Sequence, residues 1–112
     1  MTYDIAIIGG GAAGLSAAIY AMRAGMKTIV FEGTGYGGQI NFTYDVDNYL
    51  GFKSITGPEL AEKMRAHADS FGCEFKTESI REIKDATRPL KKLVTRRNVY
   101  EAKTVILATG AK

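Results

Sequence analysis

At 112 residues the chain is about one small domain, long enough to bury a core and too short for two nucleotide-binding domains. Its 46% apolar and 24% charged residues exclude a disordered chain and fit a folded, soluble one. The net charge of +3 is mild, and the cations crowd between Arg81 and Lys103 with no aromatic residues interleaved in a stacking pattern, so a solvated hairpin face explains them and nucleic acid is not expected as a partner.

In chain order, Tyr3 to Ile8 is a β-rich apolar run ending at glycine, the pattern of a strand buried on both faces of a parallel sheet. Residues Ile5 to Met22 carry no charge, but Gly9, Gly10, Gly11 and Gly14 break the run near its start. A strand, a turn and a helix are therefore expected, and no membrane span. Leu15, Ala18, Ile19 and Met22 form one helical stripe, Gly25 supplies a left-handed stop, and Thr28 to Phe31 gives a second strand ending at Glu32. Strand, glycine turn, helix and strand make a βαβ unit.

Gly33 to Gly57 holds too many turn formers, among them Gly35, Gly37, Gly38 and Gly51, for one long regular element. Thr56-Gly57-Pro58-Glu59 then predicts a helix start and Gly72 its exit, with Leu60, Met64, His67 or Ala68, and Phe71 as the inner stripe. His67, the only histidine, reads as a partly buried or edge residue without a catalytic role. Cys73 is the single cysteine, so the chain has no CxxC pair, intrachain disulfide or zinc cluster. It reads as a small buried thiol at a helix-to-strand corner, and a reducing, cytoplasmic compartment fits. The patches Ile80-Ile83, Leu90-Val94 and Val99-Tyr100 predict a small antiparallel meander, and Val105 to Ala108 a return to the parallel sheet beside the first strand. The expected fold is α/β, a Rossmann-like βαβ domain with a parallel sheet plus a small meander.

Gly9-Gly10-Gly11-Ala12-Ala13-Gly14 satisfies GxGxxG. Gly9 turns tightly, Gly11 admits a pyrophosphate against bare backbone, and Gly14 lets helix and strand pack closely, while the helix N-terminus directs its N–H groups at the anion. Glu32 lies 18 residues after Gly14, near the spacing of about 20 at which a carboxylate accepts hydrogen bonds from an adenosine ribose. Its charge would repel a 2′-phosphate, which favours FAD or NAD over NADP; the loop and Glu32 do not separate FAD from NAD.

Four blocks, Tyr3 to Leu15, Gly37 to Ile40, Val46 to Gly51 and Val105 to Ala111, together resemble the low-molecular-weight thioredoxin reductases. The resemblance covers essentially the whole chain and implies FAD as cofactor. It implies that Gly37, Gly38 and Gln39 wrap the pyrophosphate and approach the flavin, that Asn48 sits near the flavin ring, that Thr109 and Gly110 contact the cofactor, and that the backbone at Ile80 meets the adenine. Gly33 beside Glu32 and Ala108 beside Thr109 complete the cofactor-facing set. Two departures stand out: Ala12 and Leu50 occupy positions where proline is usual in the family.

The resemblance further implies a parent enzyme that passes electrons from NADPH through FAD to a disulfide on thioredoxin, as a homodimer. Residues 1–112 would then be the amino-terminal part of an FAD-binding domain, without the NADPH domain, its redox CxxC or the returning FAD segment, and would not run the cycle alone. Three other readings stay open: a ferredoxin or flavodoxin reductase with the same first domain, a non-catalytic nucleotide-binding or assembly module, and an NAD-dependent dehydrogenase fragment.

Overall fold

The computed structural model describes residues 2–33 and 36–110. Gly35 and Ala111, both read above as parts of motifs, lie outside them. Strands β1 (Thr2–Ile8), β2 (Thr28–Phe31), β3 (Asp45–Val46), β4 (Ile55–Thr56), β5 (Glu74–Lys76), β6 (Glu82–Lys84), β7 (Lys91–Val94) and β8 (Val99–Leu107) accompany helices α1 (Ala12–Arg23) and α2 (Gly57–Asp69). One six-stranded sheet runs in the order β5-β2-β1-β8-β7-β6, and β3 pairs with β4 separately.

The βαβ unit is as expected. β2 is buried along its whole length, with Ile29 and Phe31 in one core cluster and Val30 in another, because its side chains alternate between two covered faces. On α1, Leu15 and Ala18 are buried as read, together with Gly14 and Ala21, while Ile19 and Met22 are only half-buried. Gly25, at φ 78°, ends the helix: its N–H bonds to the Met22 carbonyl and that of Met26 to Ala21, the paired bonds of a Schellman motif.

Register fixes what emerges at the sheet's upper edge. Ile8 of β1 lies opposite Phe31 of β2 on one side and Leu107 of β8 on the other, all three strands being parallel. The next residues, Gly9, Glu32 and Ala108, therefore leave the sheet side by side at the carboxyl ends of the strands. β5 joins the same edge, with Lys76 opposite Phe31.

The antiparallel meander is present, but it is not a separate unit. Val99-Tyr100 and Val105 to Leu107 belong to one nine-residue strand, β8, which pairs antiparallel with β7 and parallel with β1. Polar residues at Lys103 and Thr104 divide its apolar pattern in the sequence. Both are exposed, and Lys103 reaches Asp4 of β1 at 3.4 Å. On α2 the predicted stripe also shifts. Leu60, Ala61 and Ala68 are buried, whereas His67 is exposed with its ring beside that of Phe71, which is itself exposed. Cys73 is buried as expected, and burial pushes its thiol up to about 11.

The start of α2 carries a capping box between Thr56 and Glu59. It also carries a constraint that the sequence reading overlooked. A Cβ on Gly57 would stand 1.9 Å from the Ile40 carbonyl oxygen and 2.1 Å from that of Thr43, and the Gly57 N–H donates to Thr43 at 2.8 Å. The helix start is thus wedged beneath the 3₁₀ turn Gly38–Phe42. Gly57→Ala is expected to destabilise the chain by about 1–3 kcal/mol, as overpacking does. Chemical denaturation measures this, and an unshifted midpoint would mean that the turn yields freely.

Candidate functional site

The glycine loop between β1 and α1 is shaped by close backbone approaches. Gly9 has φ 117°, and a Cβ there would lie 2.0 Å from the Ala108 carbonyl oxygen. A Cβ on Gly14 would lie 1.9 Å from the Gly9 carbonyl oxygen, so the first turn of α1 rests directly on the end of β1. Gly11 is different: its nearest neighbour would be the Cα of Gly38 at 3.6 Å, an ordinary contact. Gly11 is also the N-cap of α1 and makes no side-chain cap, and the helix's first turn holds no acidic residue. The opening of α1 therefore has neither a side-chain cap nor an acidic group for its main-chain donors, and the Gly37-Gly38 loop lies in van der Waals contact with it.

Glu32 turns back toward this loop. Its Oε1 accepts the Gly10 N–H at 2.8 Å, which fixes the carboxylate next to the glycine turn. A second glycine loop is bonded to the first: the Gly37 N–H donates to the Gly10 carbonyl at 2.7 Å, and Gly11 and Gly37 form a parallel bridge. Gly37 has φ 108°, and its Cβ position is blocked by Ala61 at 2.3 Å.

Tyr36 anchors that second loop, a role the sequence reading did not assign. Its ring packs under Gly10, where a Cβ would meet it at 2.3 Å, and its hydroxyl donates to the Lys76 carbonyl at 3.0 Å. It stands edge-on to Phe75 at 5.2 Å, with the Arg65 guanidinium over both rings. Burial pushes its phenol up to about 12, so it remains a neutral donor. Asn41 adds a further tie, donating to the Tyr36 carbonyl at 2.6 Å. The only sequence signal for either is closeness to the Gly37-Gly38 pair.

These elements enclose a cleft of ≈ 520 Å³. Gly9, Glu32, Gly33, Gly38, Gln39, Ile80 and Thr109, all singled out from the sequence, line it, joined by residues not foreseen, notably Asn41, Glu78 and Ser79. Gly11, Ala12, Ala13 and Gly14 at the opening of α1 are not among its lining residues, and Ala12 lines a separate cavity of ≈ 380 Å³ together with Leu15, Ile19 and Met64; Gly37 and Ala108 pack against the glycine loop. Gly110 is exposed at φ 71°. Asn48 is exposed and is not among the lining residues. A larger cavity of ≈ 620 Å³ adjoins the cleft at Glu78 and Ser79 and is lined by Lys76, Arg81, Arg96 and Arg97. It has neither a glycine loop nor a helix start in its wall, so chemistry and not size selects the smaller one. Among the described residues no cluster of metal-ligating side chains occurs, and no helix is long and apolar enough to cross a membrane.

Residues 3–112 match the family described as pyridine nucleotide-disulphide oxidoreductase. The chain belongs to this family. Among its relatives, a thioredoxin reductase of Peptoclostridium acidaminophilum is 48% identical over 110 residues, covering 97% of the chain and 35% of that protein. A bifunctional thioredoxin reductase/thioredoxin of Mycobacterium leprae (strain TN) is 44% identical over 110 residues, covering 96% of the chain and 24% of that protein. The crystal structure of thioredoxin reductase from Streptococcus pyogenes MGAS5005 superposes with a TM-score of 0.93 at 43% identity, covering 99% of the chain and 36% of that structure. The chain thus spans about a third or less of the length of these relatives.

The two glycines of the loop that look alike in the sequence should behave oppositely. Gly14→Ala forces backbone apart and is expected to cost about 1–3 kcal/mol. Gly11→Ala meets only an ordinary contact and is expected to stay within about 1 kcal/mol of wild type. Denaturation midpoints of the two variants measure the difference, and equal losses would contradict the assigned geometry.

Proposed function

We propose that this chain is the FAD-binding part of a thioredoxin-reductase-like flavoprotein. One observation carries the reading: the parallel register of β1, β2 and β8 delivers Gly9, Glu32 and Thr109 to one cleft, with the Gly37-Gly38 loop bonded to its floor. Open α/β sheets bind nucleotides at this edge of the strands.

The fit to FAD rests on this chain's own atoms. The bare backbone at Gly11 and the uncapped start of α1 suit a pyrophosphate, which backbone N–H groups and the helix dipole would stabilise without a basic side chain. Glu32, one of whose oxygens already accepts from Gly10, would take the ribose hydroxyls. Gln39 and Thr109 would lie toward the flavin, Gly33 and Ile80 toward the adenine. By the family resemblance, Asn48 would lie near the flavin ring. Bound FAD would supply two-electron acceptance from a hydride donor, and the protein would orient it and exclude water.

In the parent protein, electrons would pass from NADPH through FAD to a disulfide on thioredoxin, a partner suggested by the fused thioredoxin of the Mycobacterium leprae relative. The disulfide step needs a cysteine pair that these 112 residues do not contain. That parent would act as a homodimer in the cytoplasm.

The test is retention of flavin by the purified chain, read by absorbance and fluorescence after gel filtration, with affinities from titration. Micromolar or tighter FAD binding is expected. Glu32→Gln keeps an acceptor for Gly10 and should weaken FAD about 10-fold or more, the scale of a lost charge-assisted hydrogen bond. A wild-type chain that retains no flavin at micromolar concentration would favour a non-binding assembly module instead.

A further inference from the structure

Between β5 and β6 the chain runs through residues 77–81, which belong to neither strand. This stretch supplies Glu78, Ser79 and Ile80 to the wall of the cleft that Glu32 and Gly33 also line. It approaches Gly33 closely: a Cβ there would stand 2.1 Å from Ser79 Oγ. Main-chain bonds hold the stretch at its ends, from the Glu32 N–H to the Lys76 carbonyl at 3.0 Å and from the Arg81 N–H to the Val94 carbonyl at 2.8 Å.

Its middle is held by one side chain. Glu78 Oε1 accepts from Thr95 Oγ1 at 2.8 Å and from Asn98 Nδ2 at 3.1 Å, and Oε2 accepts from the Tyr100 hydroxyl. These donors are themselves fixed. Thr95 is buried, and its Oγ1 also accepts the Asn98 N–H at 2.9 Å within the β7–β8 turn. Tyr100 stands edge-on to Phe31, the residue before Glu32, at 4.8 Å.

A carboxylate in the wall of a cleft meant for a diphosphate would ordinarily oppose the ligand's charge. Here both oxygens are committed to donors on the neighbouring hairpin, so the group acts on its own chain. The donation from Tyr100, with lesser contributions from Thr95 and Asn98, holds the Glu78 carboxyl below its usual range and keeps it ionised near neutral pH.

We propose that Glu78 is a positioning residue for the adenosine end of the dinucleotide, clamping residues 77–81 to the β7–β8 turn so that Ser79 and Ile80 form the cleft wall next to Glu32 and Gly33. The inference rests on the FAD reading above and extends it to a side chain that need not touch the ligand. Without the clamp, the wall would have to be ordered when the ligand binds, and affinity would fall by that cost.

The experiment compares the wild-type chain with Glu78→Ala, Glu78→Gln and Tyr100→Phe, using ADP as a probe of the adenosine end alone. ADP affinity by calorimetry is read beside amide hydrogen exchange across residues 77–81. Glu78→Ala should weaken ADP about 10-fold and speed exchange in that stretch, while Glu78→Gln, which keeps the length, one acceptor oxygen for Thr95 and Asn98 and an NH2 that can donate to the Tyr100 oxygen, should recover part of both. Tyr100→Phe keeps the ring on Phe31 and should weaken ADP about 3-fold, which carries the test if Glu78→Ala fails to fold. Unchanged ADP affinity in folded Glu78→Ala, or in Tyr100→Phe should Glu78→Ala not fold, would overturn the proposal while leaving the FAD reading intact, even if the melting temperature drops. A wild-type chain that binds neither FAD nor ADP would overturn both.

Discussion

The carbonyl of Gly9 touches the first turn of α1 at Gly14, with no room for a methyl group between them. That contact sets how close the helix start comes to the sheet edge. Ala108 closes against Gly9 from β8 by the same kind of approach, so three segments meet through bare main chain. The second glycine loop is then fastened to the first through Gly37 and Gly10 and propped from below by Tyr36. Were side chains present at these points, the helix would stand off the sheet, and its start would no longer sit against the loop that Glu32 holds through Gly10.

Glu32 shows how one residue joins the scaffold to the chemistry. β2 carries it out of the core directly after Phe31, and the parallel register sets it beside Gly9. One of its oxygens is taken up by the Gly10 N–H, which aims the group. A carboxylate aimed in this way loses little freedom when it accepts a sugar hydroxyl, which is the advantage of preorganisation.

Much of this was legible in the sequence because the signals are local. The GxGxxG loop, the stripe of α1, the fully apolar β2, the acid at its end and the Thr56-Glu59 cap are all read within a few residues of one another. The sequence hid what depends on distant partners. β8 looked like two patches because Lys103 and Thr104 face outward in mid-strand. Gly57 passed for a residue of the helix-start signal, although its closest neighbours are the carbonyls of Ile40 and Thr43. Tyr36 and Glu78 carry no periodic signal, since each does its work through residues a long way off in the chain, Lys76 for one and Tyr100 for the other. On α2 the 3.6-residue period was right, but His67 is exposed near the end of the helix, and Phe71, also exposed, lies beyond its last residue, Asp69.

The central claim is that main chain at the opening of α1, together with Glu32, receives a sugar diphosphate. Amide chemical shifts recorded while ADP is added to the isotopically labelled chain address it residue by residue. The account requires the largest changes at Gly11 to Gly14 and at Glu32 and Gly33. Changes confined to the basic cavity at Arg81, Arg96 and Arg97, with the glycine amides undisturbed, would contradict it.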